Sequence, residues 1–397
     1  MLRAHERNLD ILPVGELGII ALENCREMGE KIDRHIVSWR EQRDHGLTDE
    51  ANLFGYDRES YLVPAKTPRF GSGEAKGQIF DTVRGKDLYI LTDVCNHSIT
   101  YKINGHMNRM SPDDHFQDVK RIISAIGGKA RRITVIMPYL YESRQLTRSS
   151  RESLDCANAL QELISMGVSS IVTFDAHDPR VMNSIPLSGF ENYQTVYQFI
   201  KGIYRSAPDF IANPEHLMIV SPDEGGMKRA IYMANVLGGV DMGMFYKRRD
   251  YSRVVNGINP VVANEFLGAN VAGKDIVIID DMISSGNTAL EVAAELKKRD
   301  AKRIFICATF GLFTAGLSRF DDAWKDGLFH TLLTTNLVYQ IPELYERPYY
   351  IRCDLSKFLA LIIDTMNHDG SVSTLLDPID RIKKFLNAQI ERQHRLP

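Results

Sequence analysis

The sequence lacks several features that would assign it to a common class. Its 397 residues contain no apolar run long enough to cross a membrane and no Gly-x-x-x-x-Gly-Lys-Ser/Thr segment, which argues against a membrane-spanning chain and an ordinary P-loop kinase. The net charge of −3 shows no large excess of either sign, so neither nucleic acid nor an anionic membrane is expected as a partner. No Ser/His/Asp or Cys/His arrangement typical of hydrolases stands out.

Cysteine is also scarce. The five cysteines are scattered along the chain without the spacing of metal ligands. An odd, dispersed set favours reduced thiols over a disulfide framework. The first residues lack the long apolar segment typical of a secretion signal, and we therefore expect a cytoplasmic protein.

From about residue 85 onward, strand-like segments alternate with helix-like segments. Residues 153–167 carry apolar side chains at helical spacing. Such alternation is typical of α/β proteins with mostly parallel sheets flanked by helices, whose sites lie at the carboxyl ends of strands. The short apolar runs that predict strands cover residues 87–93, 132–140, 169–175, 216–221, 242–246, 275–280 and 303–309.

Two of these strands end alike, with an acid at the tip of an apolar run: Asp175 and Asp280. This similarity predicts two related α/β domains, with a boundary in the polar stretch near residues 185–195. The predicted divisions are an N-terminal extension at 1–60, domains at 61–190 and 191–376, and a charged helical tail at 377–397. Within the extension, residues 17–39 predict an amphipathic helix.

The most informative segment is residues 276–288, where a β-branched apolar run ends in Asp280 and Asp281. A small polar loop and a helical pattern follow, and a loop at a helix N-terminus suits a phosphate group. The two carboxylates suit sugar hydroxyls or a metal ion, so together the segment fits a ribose 5-phosphate. A structural alternative is a strand end with surface acids and a serine cap. The candidate phosphate-binding residues are Ser284, Ser285, Gly286, Asn287 and Thr288.

This segment resembles the ribose-phosphate motif of the phosphoribosyltransferase fold, in the form used by ribose-phosphate diphosphokinases (phosphoribosyl diphosphate synthetases). Other segments follow that family's order between about residues 69 and 376. The resemblance implies two phosphoribosyltransferase-like domains. One departure is Ser284, where the family's loop usually begins with aspartate.

Residues 70–74 resemble the family's Phe-Ser-Asp-Gly-Glu loop, which lies over the adenine of ATP. The resemblance makes Phe70 a stacking residue and Glu74 an acceptor for the adenine amino group, while Ser72 replaces the loop's aspartate. Read as a dinucleotide fingerprint, the same glycines lack the third glycine, because Lys76 holds its position.

Two further segments resemble ATP contacts of the family. Arg144, Gln145 and Arg148 are similar to an Arg-Gln-Asp-Arg segment, with Leu146 and one extra residue changing the spacing. Arginine suits this role because its planar fork binds phosphate in a bidentate manner. His177, just beyond a strand end, matches a histidine that contacts ATP phosphates or their Mg²⁺. Alone, it would more often be structural.

The resemblance assigns catalytic roles to two further segments, which follow two successive predicted strands. Asp223 lies in a Ser-Pro-Asp-Glu-Gly-Gly segment and is implied as a Mg²⁺ ligand, with His177 as the other. Lys247 and Arg249 match a Lys-Arg-Arg segment at the base of a catalytic loop. Positioned cations stabilise the charge that develops during phosphoryl transfer.

The resemblance therefore implies an enzyme that transfers a diphosphoryl group from Mg·ATP to ribose 5-phosphate, for nucleotide biosynthesis, and assembles as a homo-oligomer, a dimer or a hexamer. The departures at Ser72, Leu146 and Ser284 leave open a catalytically weak or inactive homologue that associates with an active synthetase. A phosphoribosyltransferase is a third reading. It lacks an explanation for the Lys-Arg-Arg segment and the ATP-like segments.

Overall fold

A computed structural model describes residues 12–42, 55–145, 148, 151–249 and 261–393, which divide into two units. The first contains the described residues up to Gln194, together with Leu337–Tyr339 and Asp354–Leu376. The second contains the described part of Thr195–Asn336, together with Gln340–Cys353 and the described residues from Asp377 onward. Each unit therefore collects segments that are far apart in the sequence.

The first unit is built on a parallel sheet. Five strands among the described residues form it, in the order β1-β4-β7-β8-β9, and each neighbouring pair is parallel. Every position of β4 and β8 is buried, as expected when both faces of a sheet are covered. In chain order the strands of this unit are β1 (Leu17–Ala21), β2 (Ala65–Lys66), β3 (Gln78–Ile79), β4 (Asp87–Leu91), β5 (Thr100–Ile103), β6 (His106–Arg109), β7 (Arg132–Ile136), β8 (Ser170–Phe174) and β9 (Gly189–Tyr193).

The second unit contains a larger, mixed sheet. Its strand order is β12-β11-β10-β13-β14-β15-β16 in the part of the chain that the structure describes. All neighbours are parallel except β11 and β12, which are antiparallel. Its strands are β10 (Leu217–Ser221), β11 (Asp241–Arg249), β12 (Val261–Gly268), β13 (Asp275–Ile283), β14 (Arg303–Gly311), β15 (Thr331–Thr335) and β16 (Tyr350–Cys353).

Helices cover the sheets and confirm the predicted α/β class. The predicted helix at 153–167 is present as α3, and the predicted C-terminal helix as α10. All seven predicted strands are present, as β4, β7, β8, β10, β11, β13 and β14. The helices are α1 (Arg26–Glu41), α2 (Pro112–Ile126), α3 (Asp155–Ser165), α4 (Val196–Ser206), α5 (Met227–Val236), α6 (Asn287–Lys297), α7 (Ser318–Lys325), α8 (Ser356–Asn367), α9 (Ser373–Leu376) and α10 (Ile379–Gln393).

The helix predicted over residues 17–39 is wrong in its first part. Leu17–Ala21 forms β1, which pairs in parallel with β4 at the edge of the first sheet, and α1 begins only at Arg26. Tertiary pairing decides this, because an apolar pentapeptide buried beside an existing strand gains a ladder of backbone hydrogen bonds. The segment is thus part of the first sheet.

A buried ion pair joins α1 to α8 inside the first unit. The Arg40 guanidinium donates to Asp364 Oδ1 at 3.0 and 3.1 Å and to Asn367 Oδ1 at 2.8 Å. The side chains of Arg40 and Asp364 are 1% and 0% exposed. The rings of Tyr56 and Tyr61 lie 4.4 and 4.8 Å from the guanidinium. These contacts tie an early helix to a late one, about 320 residues apart in the chain.

Both sheets have an aspartate–arginine pair between the first residues of two adjacent interior strands. In the first sheet, Asp87 is the first residue of β4 and Arg132 is the first residue of β7. The Nε and Nη2 groups of Arg132 donate to the Asp87 carboxylate at 2.8 Å each. In the second sheet, Asp275 is the first residue of β13 and Arg303 is the first residue of β14. The Nε and Nη2 groups of Arg303 donate to the Asp275 carboxylate at 2.9 and 2.6 Å. The same bidentate pair at the same register supports the predicted relation between the two folds.

No helix among the described residues has both the length and the apolar character needed to traverse a bilayer. Loops that follow the strands carry most of the candidate site residues.

Replacing Arg40 with methionine should destabilise the chain strongly, because it leaves the buried Asp364 carboxylate without its cation. We expect a loss of about 3–5 kcal/mol in unfolding free energy, measured by urea denaturation. Arg34→Met is the matched control, since Arg34 is exposed on the same helix and a surface change of this type should cost within about 0.5 kcal/mol. Equal losses in the two variants would contradict the prediction.

Candidate active site

Asp280 and Asp281 lie near the carboxyl end of β13, which continues to Ile283, beyond the predicted end. Asp281 is 5% exposed, and the Asp280 side chain is 22% exposed. The Asp280 carboxylate accepts the Asp281 N–H at 2.9 Å, and the Asp281 carboxylate accepts the Met282 N–H at 2.9 Å. The two acids are therefore ordered by their own backbone before any ligand binds.

The pKa of Asp280 is held well above its usual range. Burial is the largest cause, followed by the neighbouring Asp281 carboxylate, with a further contribution from Asp223. Arg229 opposes the shift, and its Nη1 lies 3.9 Å from Asp280 Oδ1. Three carboxylates thus lie near one cation. A ligand that brings hydroxyl donors or a positive charge would relieve their repulsion.

Arg229 is a site residue that the sequence reasoning missed. It lies in the first turn of α5, three residues after Gly226. Its side chain is 9% exposed and faces Asp280. A basic residue in the first turn of the helix after the Asp223 loop was the available signal, but spacing alone did not connect it to an acid more than fifty positions away.

The predicted phosphate loop is a tight turn at the N-terminus of α6. Gly286 adopts a left-handed conformation with φ +85°, and α6 begins at Asn287. The Thr314 N–H donates to Ser284 O at 2.9 Å, and the Ser284 and Thr314 hydroxyls lie 3.4 Å apart. The N–H groups at such a helix start and the helix dipole favour an anion.

Helix α7 supports the outer side of this loop. The Arg319 guanidinium donates to Asn287 Oδ1. A Cβ on Gly286 would lie 2.4 Å from a ring atom of Phe320, so the ring approaches the glycine closely. Only glycine satisfies both the positive φ and this packing.

The Asp223 loop follows β10 and is also tightly bonded. Ser221 Oγ donates to Asp223 O at 2.6 Å, and the Gly226 N–H donates to Asp223 Oδ1 at 3.2 Å. A Cβ on Gly226 would lie 2.5 Å from Ser221 Oγ. The half-buried Asp223 carboxylate is therefore fixed at the strand tip.

Sheet order brings these motifs together. Strand β10 pairs in parallel with both β11 and β13, so the carboxyl ends of three neighbouring strands meet at one edge. That edge carries the Asp223 loop, the Asp280–Asp281 pair and the end of β11. Lys247 and Arg249 belong to β11 by their backbone, and their side chains lie outside the described residues. The order of strands, which the sequence does not give, places the basic segment beside the two acidic ones.

The remaining predicted residues belong to the first unit. Arg144, Gln145 and His177 follow β7 and β8, neighbouring parallel strands, and all three are exposed. Burial raises the pKa of Cys95 and Arg144 opposes the shift, which places Arg144 near the tip of β4. Arg148 is also exposed, whereas Leu146 lies outside the described residues.

Phe70 and Glu74 lie on a turn between β2 and β3. The Phe70 N–H donates to Glu74 O at 2.7 Å, and Ser72 Oγ donates to Glu74 Oε2 at 2.8 Å. The Phe70 side chain is 52% exposed. Its ring is therefore available for stacking.

Asp93, at the tip of β4, is a second residue that the sequence reasoning did not single out. It is 3% exposed, and burial raises its pKa to about 7. Its carboxylate accepts the N–H groups of Tyr339 at 2.5 Å and Cys95 at 2.9 Å. These bonds give Asp93 a structural role in fixing Leu337–Tyr339 to the first unit.

The donor chemistry of the second unit's edge fits a hard cation. Asp223 and Asp280 offer carboxylate oxygens, which Mg²⁺ takes one or two at a time beside water and phosphate oxygens. No group of three or more His, Cys, Asp or Glu side chains suited to a metal ion occurs in the described ranges. Asp223 belongs to the second unit and His177 to the first.

Comparison with known proteins identifies the class. A model for the N-terminal domain of ribose phosphate pyrophosphokinase matches residues 17–167, and one for the phosphoribosyl transferase domain matches residues 190–331. The chain is thus built on phosphoribosyltransferase-type domains. With the two domains matched in order, it belongs to the ribose-phosphate pyrophosphokinase (diphosphokinase) family. The first match begins at β1, so part of the segment read as an extension lies inside the family domain.

Individual relatives agree with this assignment. The ribose-phosphate pyrophosphokinase of Vibrio cholerae is 27% identical over 321 residues, covering 80% of this chain and 92% of the relative. That of Pasteurella multocida is 28% identical over 320 residues, covering 79% and 91%. The phosphoribosylpyrophosphate synthetase structure from Mycobacterium smegmatis shares the fold, with a TM-score of 0.69, 19% identity and coverage of 89% and 100%.

Replacing Gly286 with alanine should damage the phosphate loop beyond the cost of its left-handed backbone. The added Cβ would meet Phe320 at 2.4 Å, so the loop must shift. We expect weaker binding of ribose 5-phosphate by calorimetry and a lower unfolding midpoint. Gly316→Ala is the matched control, because Gly316 has φ +75° and nothing within 4 Å of its Cβ position. It should show only the backbone cost of about 1–2 kcal/mol. Equal affinity in the two variants would contradict this account of the loop.

Proposed function

We propose that this enzyme transfers the diphosphoryl group of Mg·ATP to the C1 hydroxyl of ribose 5-phosphate, giving phosphoribosyl diphosphate and AMP. The observation that carries the proposal is the meeting of three neighbouring strand ends at one sheet edge, β11, β10 and β13. That edge offers a phosphate loop, two acids and a basic segment in one place. The relatives named above are ribose-phosphate pyrophosphokinases, which supports the same activity.

Binding of the sugar phosphate is assigned to β13 and its loop. Asp280 and Asp281 accept hydrogen bonds from ribose hydroxyls. The backbone N–H groups and hydroxyls of Ser284, Ser285 and Thr288 hold the 5-phosphate, with Gly286 and Asn287 shaping the turn. Serine at 284 adds a donor without the negative charge that aspartate would place near the phosphate.

Transfer is assigned to positioning and charge stabilisation. The C1 oxygen attacks the β-phosphorus and loses its proton, while the bond from that phosphorus to the oxygen bridging the α-phosphate breaks and AMP leaves. Lys247 and Arg249 stabilise the charge on the non-bridging oxygens. When bound, Mg²⁺ would supply positive charge that offsets the negative charge of the ATP phosphates. His177 and Asp223 are proposed to hold it, directly or through water.

ATP recognition is assigned to residues of the first unit. The Phe70 ring stacks on adenine and Glu74 accepts from its amino group. Arg144, Gln145 and Arg148 contact the nucleotide, with His177 near its phosphates. The proposal includes a cytoplasmic homo-oligomer, a dimer or a hexamer, and analytical ultracentrifugation would test the assembly. It keeps 61–190 and 191–376 as the main parts of the two domains, with β1 and the segments Leu337–Tyr339 and Asp354–Leu376 belonging to the first unit.

The direct test is incubation with ribose 5-phosphate and Mg·ATP, followed by detection of AMP and phosphoribosyl diphosphate. Stoichiometric formation of both supports the proposal. If both substrates bind but no AMP forms, the protein is instead the inactive homologue. Consumption of phosphoribosyl diphosphate with a free base would indicate a phosphoribosyltransferase.

Lys247→Ala should lower kcat much more than it raises KM, because the charge that Lys247 meets develops mainly in the transition state. We expect a loss of roughly 10²–10³-fold in kcat, measured by AMP formation. Arg248→Ala removes the same charge from the next residue and is the control, with a much smaller expected loss. Similar kcat values in the two variants would show that Lys247 does not stabilise the transition state.

Replacing Asp280 and Asp281 together with asparagine should weaken ribose 5-phosphate binding and leave ATP binding largely intact. The amide groups keep the shape of the carboxylates but lose their charge and part of their acceptor capacity. Calorimetry with each substrate measures the effect. Asp300→Asn, at the exposed end of the connection after α6, is the control. If the double variant binds ribose 5-phosphate with unchanged affinity, the two acids have a structural role and do not bind the sugar.

A further inference from the structure

Residues 70–74, called the aromatic turn below, form a small closed unit. An antiparallel bridge joins Arg69 to Ala75 at its base. The Gly73 N–H donates to Phe70 O at 2.9 Å, and Gly73 has φ +93°. Five residues closed by so few bonds bury little of their own surface, so their position depends on what packs against them.

The neighbour of this turn is the hairpin β5–β6. Asn104 and Gly105 connect its strands with φ values of +49° and +84°, the pattern of a two-residue type I′ turn. The Met110 N–H donates to Ile99 O at 2.9 Å, so the chain enters and leaves the hairpin at one point. The hairpin is therefore a projection from the loop between β4 and α2.

The tip of the hairpin holds the aromatic turn directly. The Asn104 N–H donates to Gly71 O at 2.9 Å. A Cβ on Gly73 would lie 3.1 Å from Ile103 Cδ1, so the isoleucine side chain packs against that glycine. Two successive hairpin residues thus contact the turn on either side of Ser72.

The base of the aromatic turn is held through Arg69. Its guanidinium donates to both carboxylate oxygens of Asp118 on α2 at 2.8 and 2.9 Å, and both side chains are nearly buried. The ring of Tyr101, on β5, lies 5.1 Å from the same guanidinium. The Tyr101 hydroxyl in turn donates to Asp114 at 3.2 Å. Hairpin and turn are therefore fastened to the same helix.

We propose that hairpin β5–β6 is a positioning element that holds Phe70 and Glu74 for the nucleotide base and thereby sets the enzyme's preference for a 6-aminopurine donor. The inference rests on the proposed function of those two residues. Glu74 accepts from Ser72 Oγ at 2.8 Å, which orients the carboxylate. A fixed carboxylate accepts from the 6-amino group of adenine and repels the 6-oxo group of guanine.

Holding the aromatic turn in place matters because ATP binding would otherwise have to immobilise the turn, at a cost in affinity. Because immobilising side chains on binding costs free energy, a loose Phe70 and Glu74 would weaken ATP binding by about tenfold in total. Discrimination would fall too, since a mobile carboxylate can move away from the guanine oxygen. The sugar-phosphate loop lies in the second unit and should be unaffected.

The test is to excise residues 100–109 and join Ile99 to Met110 with two glycines, a change that the hydrogen bond between these residues permits. We expect the KM for ATP to rise about tenfold and the kcat/KM preference for ATP over GTP to fall by a similar factor. The KM for ribose 5-phosphate should stay within about twofold of the native value. An unchanged KM for ATP together with an unchanged base preference would overturn the inference.

A point variant covers the case in which the excised chain does not fold. Ile103→Ala removes the contact with Gly73 and keeps the hairpin, and it should shift the same two quantities in the same direction. Met107→Ala is its matched control, because Met107 is on the other strand of the hairpin and 60% exposed, and it should change neither. Equal effects of Ile103→Ala and Met107→Ala would refute the positioning role.

Phe70→Ala separates this inference from the proposed function. If Phe70→Ala leaves the KM for ATP unchanged, the assignment of the aromatic turn to ATP fails first. If Phe70→Ala raises that KM while Ile103→Ala and the excision do not, the turn binds ATP without help from the hairpin. Circular dichroism and the unfolding midpoint check that each variant is folded.

Discussion

Parallel pairing of β10 with β11 on one side and β13 on the other is the constraint on which the candidate site depends. Parallel strands end at the same edge, so the loops that follow them are forced into proximity. At this edge the fold places the two acids of β13, the Asp223 loop and the basic end of strand β11. Burial and then the neighbouring acids raise the pKa of Asp280, and Arg229 only partly offsets this shift.

Local hydrogen bonds and packing order the site before any substrate binds. Asp280, Asp281 and Asp223 each accept a backbone N–H from their own segment. Gly286 lies against Phe320, so α7 restrains the phosphate loop from outside. An enzyme that works mainly by positioning charge gains from such order, because little reorganisation remains for the transition state.

Buried ion pairs carry the connection between distant parts of the chain. Arg40 and Asp364 fasten an early helix to a late one, and Arg132 with Asp87 fixes the register of β4 and β7. Arg303 with Asp275 repeats that pair in the second sheet. Such pairs do not by themselves make a fold more stable than apolar contacts would. They do penalise any pairing that leaves a charge buried without its partner.

The sequence by itself determined the α/β class, the seven predicted strands and the loop before α6, because hydrophobic period and turn chemistry are local properties. It also contained the signal for hairpin β5–β6, Asn104-Gly105, between alternating residues. Only the tertiary structure decided that Leu17–Ala21 is an edge strand, that Gly189–Tyr193 becomes β9 and that Arg229 faces Asp280. Those outcomes depend on which neighbour a segment meets, and strand order is fixed by long-range packing that no local pattern records.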